Sequence, residues 1–217
     1  MENIFDNPEE YEYRTGKDIF LKIWSSPRAV FKYIIAQNYD RYVTALLMLS
    51  GISRAFDRAA VRNLGDKMSL WGIVAICIIL GGLFGWVYYY IYAAMINWTG
   101  KWLKGLGDTK SILRVMAYAM IPSIVALLFF IPQVAIYGIE MFKNKGDITG
   151  AGLISNILVY GSVFIELVLG VWTIVLFITG ISEVQKFSIG KAILNVLLPI
   201  FIIFLPLLIL GILLNKV

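Results

Sequence analysis

The stretch from Ser111 to Gln133 constrains the fold more than any other part of the sequence. After Arg114 it carries about twenty residues without a further charge, long enough to cross a hydrocarbon core of roughly 30 Å as a helix. Pro122 and Pro132 interrupt this run, and a proline inside a helix removes a backbone hydrogen bond. Because lipid offers no replacement partner, neighbouring helices must surround such a helix. The stretch therefore predicts a bent transmembrane helix at the centre of a bundle.

The composition of the chain is typical of membrane proteins. Of the 217 residues, 59% are hydrophobic and only 15% are charged, against about a quarter charged in a typical soluble domain. There is no histidine, and the one cysteine is Cys77, so the usual ligands of zinc, haem and copper and the Ser-His-Asp and Cys-His catalytic sets are missing. We therefore expect one membrane domain with no catalytic residues, no metal and no cofactor. The net charge of +5 comes from cations at the ends of apolar stretches, which predicts membrane orientation and no nucleic-acid partner.

Residues 1–40 differ in character from the rest of the chain. Residues 1–14 are acidic and aromatic and predict a flexible tail. Residues 15–40 carry two apolar stripes at helical spacing, one on each side of Pro27, with lysines and arginines at the other positions. This pattern predicts two amphipathic helices lying in the membrane surface, with Trp24, Pro27 and Phe31 as interfacial anchors. A second interpretation, compatible with the first, is that the two helices cap the bundle.

Residues 41–217 predict an all-α bundle of five transmembrane helices. The five apolar stretches are Tyr42–Phe56, Leu70–Trp98, Ile112–Ile139, Leu153–Ser182 and Ala192–Leu214. In the second of them, Gly81, Gly82 and Gly85 predict close approach by a neighbouring helix. With five spans, twelve of the 19 lysines and arginines lie on the side of the N-terminus and seven on the other side. This bias predicts a cytoplasmic N-terminus and an external C-terminus.

Glu166 is the only acidic residue deep within a long apolar stretch. Because an acidic side chain at the centre of a span costs about 2.5–3.5 kcal/mol on insertion scales, Glu166 is expected to face the bundle, paired or protonated. Ser162, Gly170 and Thr173 share its helical face, and this small polar stripe predicts close helix packing. Two interpretations remain open. Glu166 is either a proton, ion or headgroup site, or a structural partner of a neighbouring helix.

The partner of Glu166 is expected among polar side chains of other spans. Arg54 would neutralise a charge that is costly when buried alone. Failing that contact, we expect a protonated Glu166 to bond to a hydroxyl group such as that of Tyr118 or Tyr88.

Three arginines recur at four-residue intervals near the end of the first apolar stretch. Arg54, Arg58 and Arg62 would form a cationic stripe on one helix face, and Asp57 lies close enough in sequence to pair with one of them. Solvated arginines are one interpretation of this stripe. The other is a binding site for anionic lipid headgroups.

The order of these features resembles the Yip-domain family, whose name comes from Ypt/Rab-interacting proteins. Four features carry the resemblance: the lead-in I-W-S-S-P-R-A-V-F, five spans, a glycine-rich basic loop before the third span, and the string L-R-V-M-A-Y-A-M-I-P from Leu113 to Pro122. That string resembles the aromatic-to-proline signature of the family, here Tyr118 and Pro122. Together they cover nearly the whole chain.

The resemblance implies a fold and a class of function. Eukaryotic members are integral proteins of early secretory membranes that associate with Rab GTPases and carry a long cytosolic N-terminal region. Here the segment ahead of the first span ends near Asp40 and lacks a clear acidic Tyr-Gly-Pro segment, which favours a member from a prokaryotic cell membrane. The implied function is a non-enzymatic scaffold or adaptor that shapes the membrane or recruits lipids or another membrane or peripheral protein. The alternative is a small transporter or channel for an ion or lipid that uses Glu166.

Overall fold

The structure, a computed structural model, describes residues 16–147 and 152–214, and these residues form helices and turns with no strand among them. The predicted acidic tail, residues 1–14, lies outside the described residues. The helices are α1 (Gly16–Lys22), α2 (Pro27–Ala36), α3 (Val43–Val61), α4 (Leu70–Trp102), α5 (Thr109–Ala119), α6 (Ile121–Tyr137), α7 (Leu153–Gln185) and α8 (Ile189–Leu214). Short 3₁₀ helices, Leu64–Asp66 and Gly138–Phe142, follow α3 and α6.

Within the described residues, four segments are long and apolar enough to cross a membrane. They are Leu70–Trp102, Thr109–Phe142, Ser155–Gln185 and Ile189–Pro206. The prediction of five spans is therefore confirmed for four. Helix α3 is the exception, because its 19 residues include Arg54, Asp57 and Arg58.

The chain forms two compact units that do not follow the order of the sequence. The first unit comprises Met1–Asp40, Tyr90–Met116 and Phe177–Val217. The second comprises Arg41–Tyr89 and Ala117–Leu176. Helices α4, α5 and α7 each contribute residues to both, so neither unit is a continuous segment.

In the first unit, helix α2 packs against the protein through its apolar face. It begins at Pro27, a position where the missing amide hydrogen costs nothing. Phe31 is completely buried, and its ring lies 3.4 Å from the position that a Cβ on Gly180 of α7 would take. At the edge of this contact, Arg28 Nε lies 3.0 Å from Glu183 Oε1. Phe31 therefore contacts protein and not lipid, which favours the bundle-capping interpretation of α2, while Trp24 stays partly exposed.

In the second unit, helices α3 and α4 meet backbone to backbone. A Cβ on Gly51 would lie 2.2 Å from the carbonyl oxygen of Gly81 and 2.6 Å from Cα of Gly85, so no side chain fits there. The close approach predicted from the glycines of α4 is thus confirmed, and Gly51 is its counterpart on α3. Elsewhere in the second unit, Phe56 of α3 and Phe130 of α6 pack with ring centroids 5.6 Å apart.

The proline-containing stretch is interrupted once, at Met120. Helix α5 ends at Ala119 and α6 begins at Ile121, with Pro122 in its first turn. Pro132 lies inside α6, which continues to Tyr137. The expected bend of the third span is therefore a break at Met120, two residues before Pro122, and Pro132 does not interrupt α6.

Candidate functional site

The hydrogen-bond partner of Glu166 is neither the expected arginine nor one of the expected hydroxyl groups. The amide Nε2 of Gln133 in α6 donates to Glu166 Oε1, and it also lies 3.3 Å from the carbonyl oxygen of Phe129. Gln133 is 1% exposed, so its amide depends on these acceptors. The one signal in the sequence is that Gln133 is the single amide side chain within the apolar stretch Ile112–Ile139. The expected structural partner on a neighbouring helix exists, but it is an amide.

A cavity of about 140 Å³ borders Glu166 within the second unit. Its polar lining comes from Ser53 and Asp57 of α3, Ser123 of α6 and Glu166 of α7, with Gly170 beside them. The structure thus brings together two of the predicted site residues, Asp57 and Glu166. Because one water needs only about 10–15 Å³ of such volume, the cavity has room for a few waters or a small hydrated ion.

The stripe around Glu166 does not produce close helix packing at Gly170. A Cβ on Gly170 would meet no atom within 4 Å, so the glycine leaves space beside the cavity. Ser162 uses its hydroxyl within its own helix, donating to the carbonyl oxygen of Leu158 at 2.9 Å. Thr173 does the same to Leu169, also at 2.9 Å. The prediction of tight packing along this face is therefore wrong at Gly170.

Arg54 contacts an aromatic ring instead of the expected carboxylate. Its Nη2 donates to the hydroxyl of Tyr88 at 3.0 Å, and its guanidinium carbon lies 4.0 Å from the centroid of the same ring. Such a stacked arrangement combines a hydrogen bond with a cation–π contact. Glu166 takes its hydrogen bond from Gln133, so neither Arg54 nor Tyr88 plays the role predicted for it. Tyr118 of the family signature is completely buried.

The three arginines of α3 border a groove of about 380 Å³ in the second unit. Arg54, Arg58 and Arg62 line its polar side, and Leu80 and Phe84 of α4 line its apolar side. The cationic stripe predicted from sequence is thus one wall of a groove. Asp57, between the arginines in sequence, borders the Glu166 cavity instead.

The first unit contains a buried arginine. Arg114 in α5 is 3% exposed, and its guanidinium donates to Asp40 Oδ1 at 2.6 Å, to Asp40 Oδ2 at 3.2 Å and to Asn38 Oδ1 at 2.6 Å. Lys110 Nζ approaches Asp40 from the outside at 3.3 Å. The hydrogen bond from Arg114 is the main reason that the pKa of Asp40 lies below its ordinary value. In the sequence, Arg114 is simply the cation that opens a span, because Asp40 lies 74 residues away and no local pattern connects the two.

None of these groups is arranged as a metal site. Among residues 16–147 and 152–214 there is no set of three histidine, cysteine, aspartate or glutamate side chains that could hold an ion.

Four apolar helices of membrane-crossing length, with a carboxylate bonded between two helices of the second unit, define a multi-pass α-helical membrane protein. The model of the Yip1 domain matches residues 21–211, which is most of the chain. The protein belongs to the Yip1 domain family. Comparison with curated proteins and comparison with solved structures give no match.

Proposed function

We propose that this protein is a non-enzymatic membrane scaffold or adaptor of the Yip type. Its role is to shape the membrane or to recruit lipids or a membrane or peripheral protein through the surface formed by α1 and α2. Family membership supports this class of function. The observation that carries the proposal is the asymmetry of α1 and α2, which bury one face and expose the other.

The inner face of α1 and α2 holds the pair in place. Ile23, Val30 and Ile34 are completely buried, as is Phe31. The outer face carries the exposed cations Lys17 and Lys32 and the side chain of Leu21, which is 73% exposed. A basic surface with an exposed leucine suits an anionic membrane surface or an acidic partner. Such a platform needs no catalytic group.

The proposal includes five spans, with α3 as the first, a cytoplasmic N-terminus and an external C-terminus in a prokaryotic cell membrane. At 1.5 Å per residue, α3 is about 28 Å long, close to the thickness of the hydrocarbon core. Arg54 and Arg58 lie in its second half, where long side chains extend toward the interface. A tag at the C-terminus should be labelled from outside intact cells. Labelling only after permeabilisation would mean a cytoplasmic C-terminus, reached through an even number of spans or a reversed orientation, and would overturn this arrangement.

Purified protein in vesicles tests the scaffold role. As protein is added at fixed lipid, wild type should narrow or tubulate anionic vesicles in electron micrographs. A triple variant with Lys17, Leu21 and Lys32 each changed to Glu should lose this effect, because its outer face would repel anionic lipid. The matched control carries Lys101→Glu and Lys104→Glu, two exposed cations outside α1 and α2. Equal vesicle shapes for wild type and triple variant would overturn the role given to the platform.

A small transporter or channel is the second candidate, and the Glu166 cavity favours it. A polar volume beside an acidic side chain in a span is the kind of feature that ion and proton pathways use. The same vesicles, loaded with a pH-sensitive dye and given a membrane potential, test it. Proton flux that disappears in Glu166→Gln would favour transport. Flux equal to that of protein-free vesicles would favour the scaffold.

A further inference from the structure

The groove between α3 and α4 is formed by the glycine contact described above. At Gly51, Gly81 and Gly85 the two backbones touch, so the longer side chains of both helices stand on either side of a shallow floor. The apolar wall stays open to the surroundings, with Phe84 62% exposed and Leu80 49% exposed. The groove is therefore accessible along a helix that is long and apolar enough to cross a membrane.

The polar wall of the groove carries three arginines, and two of them have no salt-bridge partner among the described residues. Within residues 16–147 and 152–214, no carboxylate forms a salt bridge with Arg58 or Arg62, and both side chains are exposed. Arg54 is fixed against Tyr88 by its hydrogen bond and ring contact. From Arg54 to Arg62 the helix rises about 12 Å, so the three guanidinium groups form a ladder along one wall.

One wall of the groove is apolar and belongs to a helix of membrane-spanning length, and the other carries three arginines. A ligand that contacts both walls needs an apolar part and an anionic part. A soluble anion satisfies only the arginines, and a neutral lipid satisfies only the apolar wall. Planar guanidinium groups bind phosphate oxygens in pairs, which makes arginine well suited to a phosphodiester. An anionic phospholipid matches both walls at once.

We propose that the groove binds one anionic glycerophospholipid, with its headgroup phosphate at Arg58 and Arg62 and an acyl chain along Leu80 and Phe84. Arg54, held by Tyr88, marks the boundary between the polar and apolar parts of the site. This inference deepens the proposed function and rests on it, because it gives the scaffold a lipid that it retains. The lipid site lies in the second unit, whereas the proposed platform of α1 and α2 lies in the first.

The test is lipid binding by the full chain, measured by native mass spectrometry from detergent. Phosphatidylglycerol should bind one per chain and more tightly than phosphatidylcholine with the same acyl chains. In the Arg58→Gln/Arg62→Gln variant the affinity for phosphatidylglycerol should fall roughly 30-fold, from about fivefold for each cation near a lipid surface. The matched control, Lys101→Gln/Lys104→Gln, removes two cations outside the groove and should bind like wild type. Phe84→Ala should weaken both lipids by a similar factor.

Three results would overturn the lipid site. One is equal affinity for the two lipids, and another is unchanged phosphatidylglycerol affinity in the arginine double variant with an unchanged melting temperature. The third is displacement of the lipid by inorganic phosphate alone, which would mean a free-anion site. None of these results changes the outcome expected for vesicle shaping, which depends on α1 and α2. Failure of the lipid site is therefore distinguishable from failure of the scaffold role.

Discussion

Arg114 in the first unit and Arg58 in the second are two cations of the same chain that differ in burial and in pairing. Arg114 is 3% exposed and donates to three oxygen atoms of Asp40 and Asn38. Arg58 is exposed on the wall of a groove and has no salt bridge to a described carboxylate. A buried guanidinium has lost its hydrating water and depends on protein acceptors for its hydrogen bonds. An exposed guanidinium in a groove still has donors available for a ligand. The comparison separates a structural cation from one that is available to a ligand.

The largest effect is expected when Arg114 loses its carboxylate. Asp40→Ala leaves a buried cation with only the amide of Asn38, and we expect a loss of about 3 kcal/mol in the free energy of unfolding. Lys110→Gln removes the outer cation of the same cluster, whose side chain is 69% exposed, and should cost less than about 1 kcal/mol. Unfolding in detergent, followed by circular dichroism, measures both. Equal losses in the two variants would contradict the structural role of Arg114.

A glycine in a tight helix contact can be compared with a glycine beside empty space within the second unit alone. Gly51→Ala places a methyl group against the backbone of α4 and should destabilise the protein by about 2 kcal/mol. Gly170→Ala is the matched control, because a methyl group there meets no atom within 4 Å. It should be neutral or stabilising by up to about 1 kcal/mol, the helix propensity gained. If Gly51→Ala were as stable as Gly170→Ala, the contact between α3 and α4 would be looser than described.

A smaller effect should identify the partner of Glu166. A double-mutant cycle with Glu166→Leu and Gln133→Leu should show a coupling energy of about 1 kcal/mol, the usual size for one hydrogen bond, because leucine cannot accept it. The corresponding cycle with Glu166→Leu and Arg54→Met should be additive within about 0.5 kcal/mol. Coupling to Arg54 and additivity with Gln133 would reverse the assignment.

The smallest effect is the pH dependence of the Arg114 cluster. The pKa of Asp40 is lowered mainly by its hydrogen bond with Arg114, so the carboxylate stabilises the folded state in its ionised form. This contribution is complete well above the ordinary pKa of about 3.9 and is lost as the pH falls through the lowered folded pKa. The stability difference between wild type and Asp40→Asn should therefore be constant near pH 7 and shrink on acidification below about pH 4. A difference that does not change with pH would mean that Asp40 is not the titrating group.

Sequence predicted the parts of the fold that depend on one helix at a time. Length and hydropathy are properties of a single segment, so they identify the four apolar spans. The glycines of α4 predicted a close helix contact, because the missing side chain is what allows two helix backbones to approach each other. The break before Pro122 follows from the missing amide hydrogen in the same way.

Sequence did not predict the pairs that depend on the rotation of one helix against another. Gln133 and Glu166 lie on separate helices, and periodicity gives the face of each without its partner. Asp40 is 74 residues from Arg114. Phe31 shows a further limit, since an apolar stripe has the same pattern whether it packs on lipid or on protein.

The assembly of each unit from distant parts of the chain has a consequence for biosynthesis. All segments of the second unit have been translated by Leu176, before the ribosome reaches α8. The first unit needs residues beyond that point, including Gly180 and Glu183, the partners of Phe31 and Arg28. At roughly 5–20 residues per second, α2 waits about 8–30 s after its own synthesis for these partners. During that interval its apolar face is open to a chaperone or to the membrane surface, so the nascent chain passes through a state in which α2 is not yet docked.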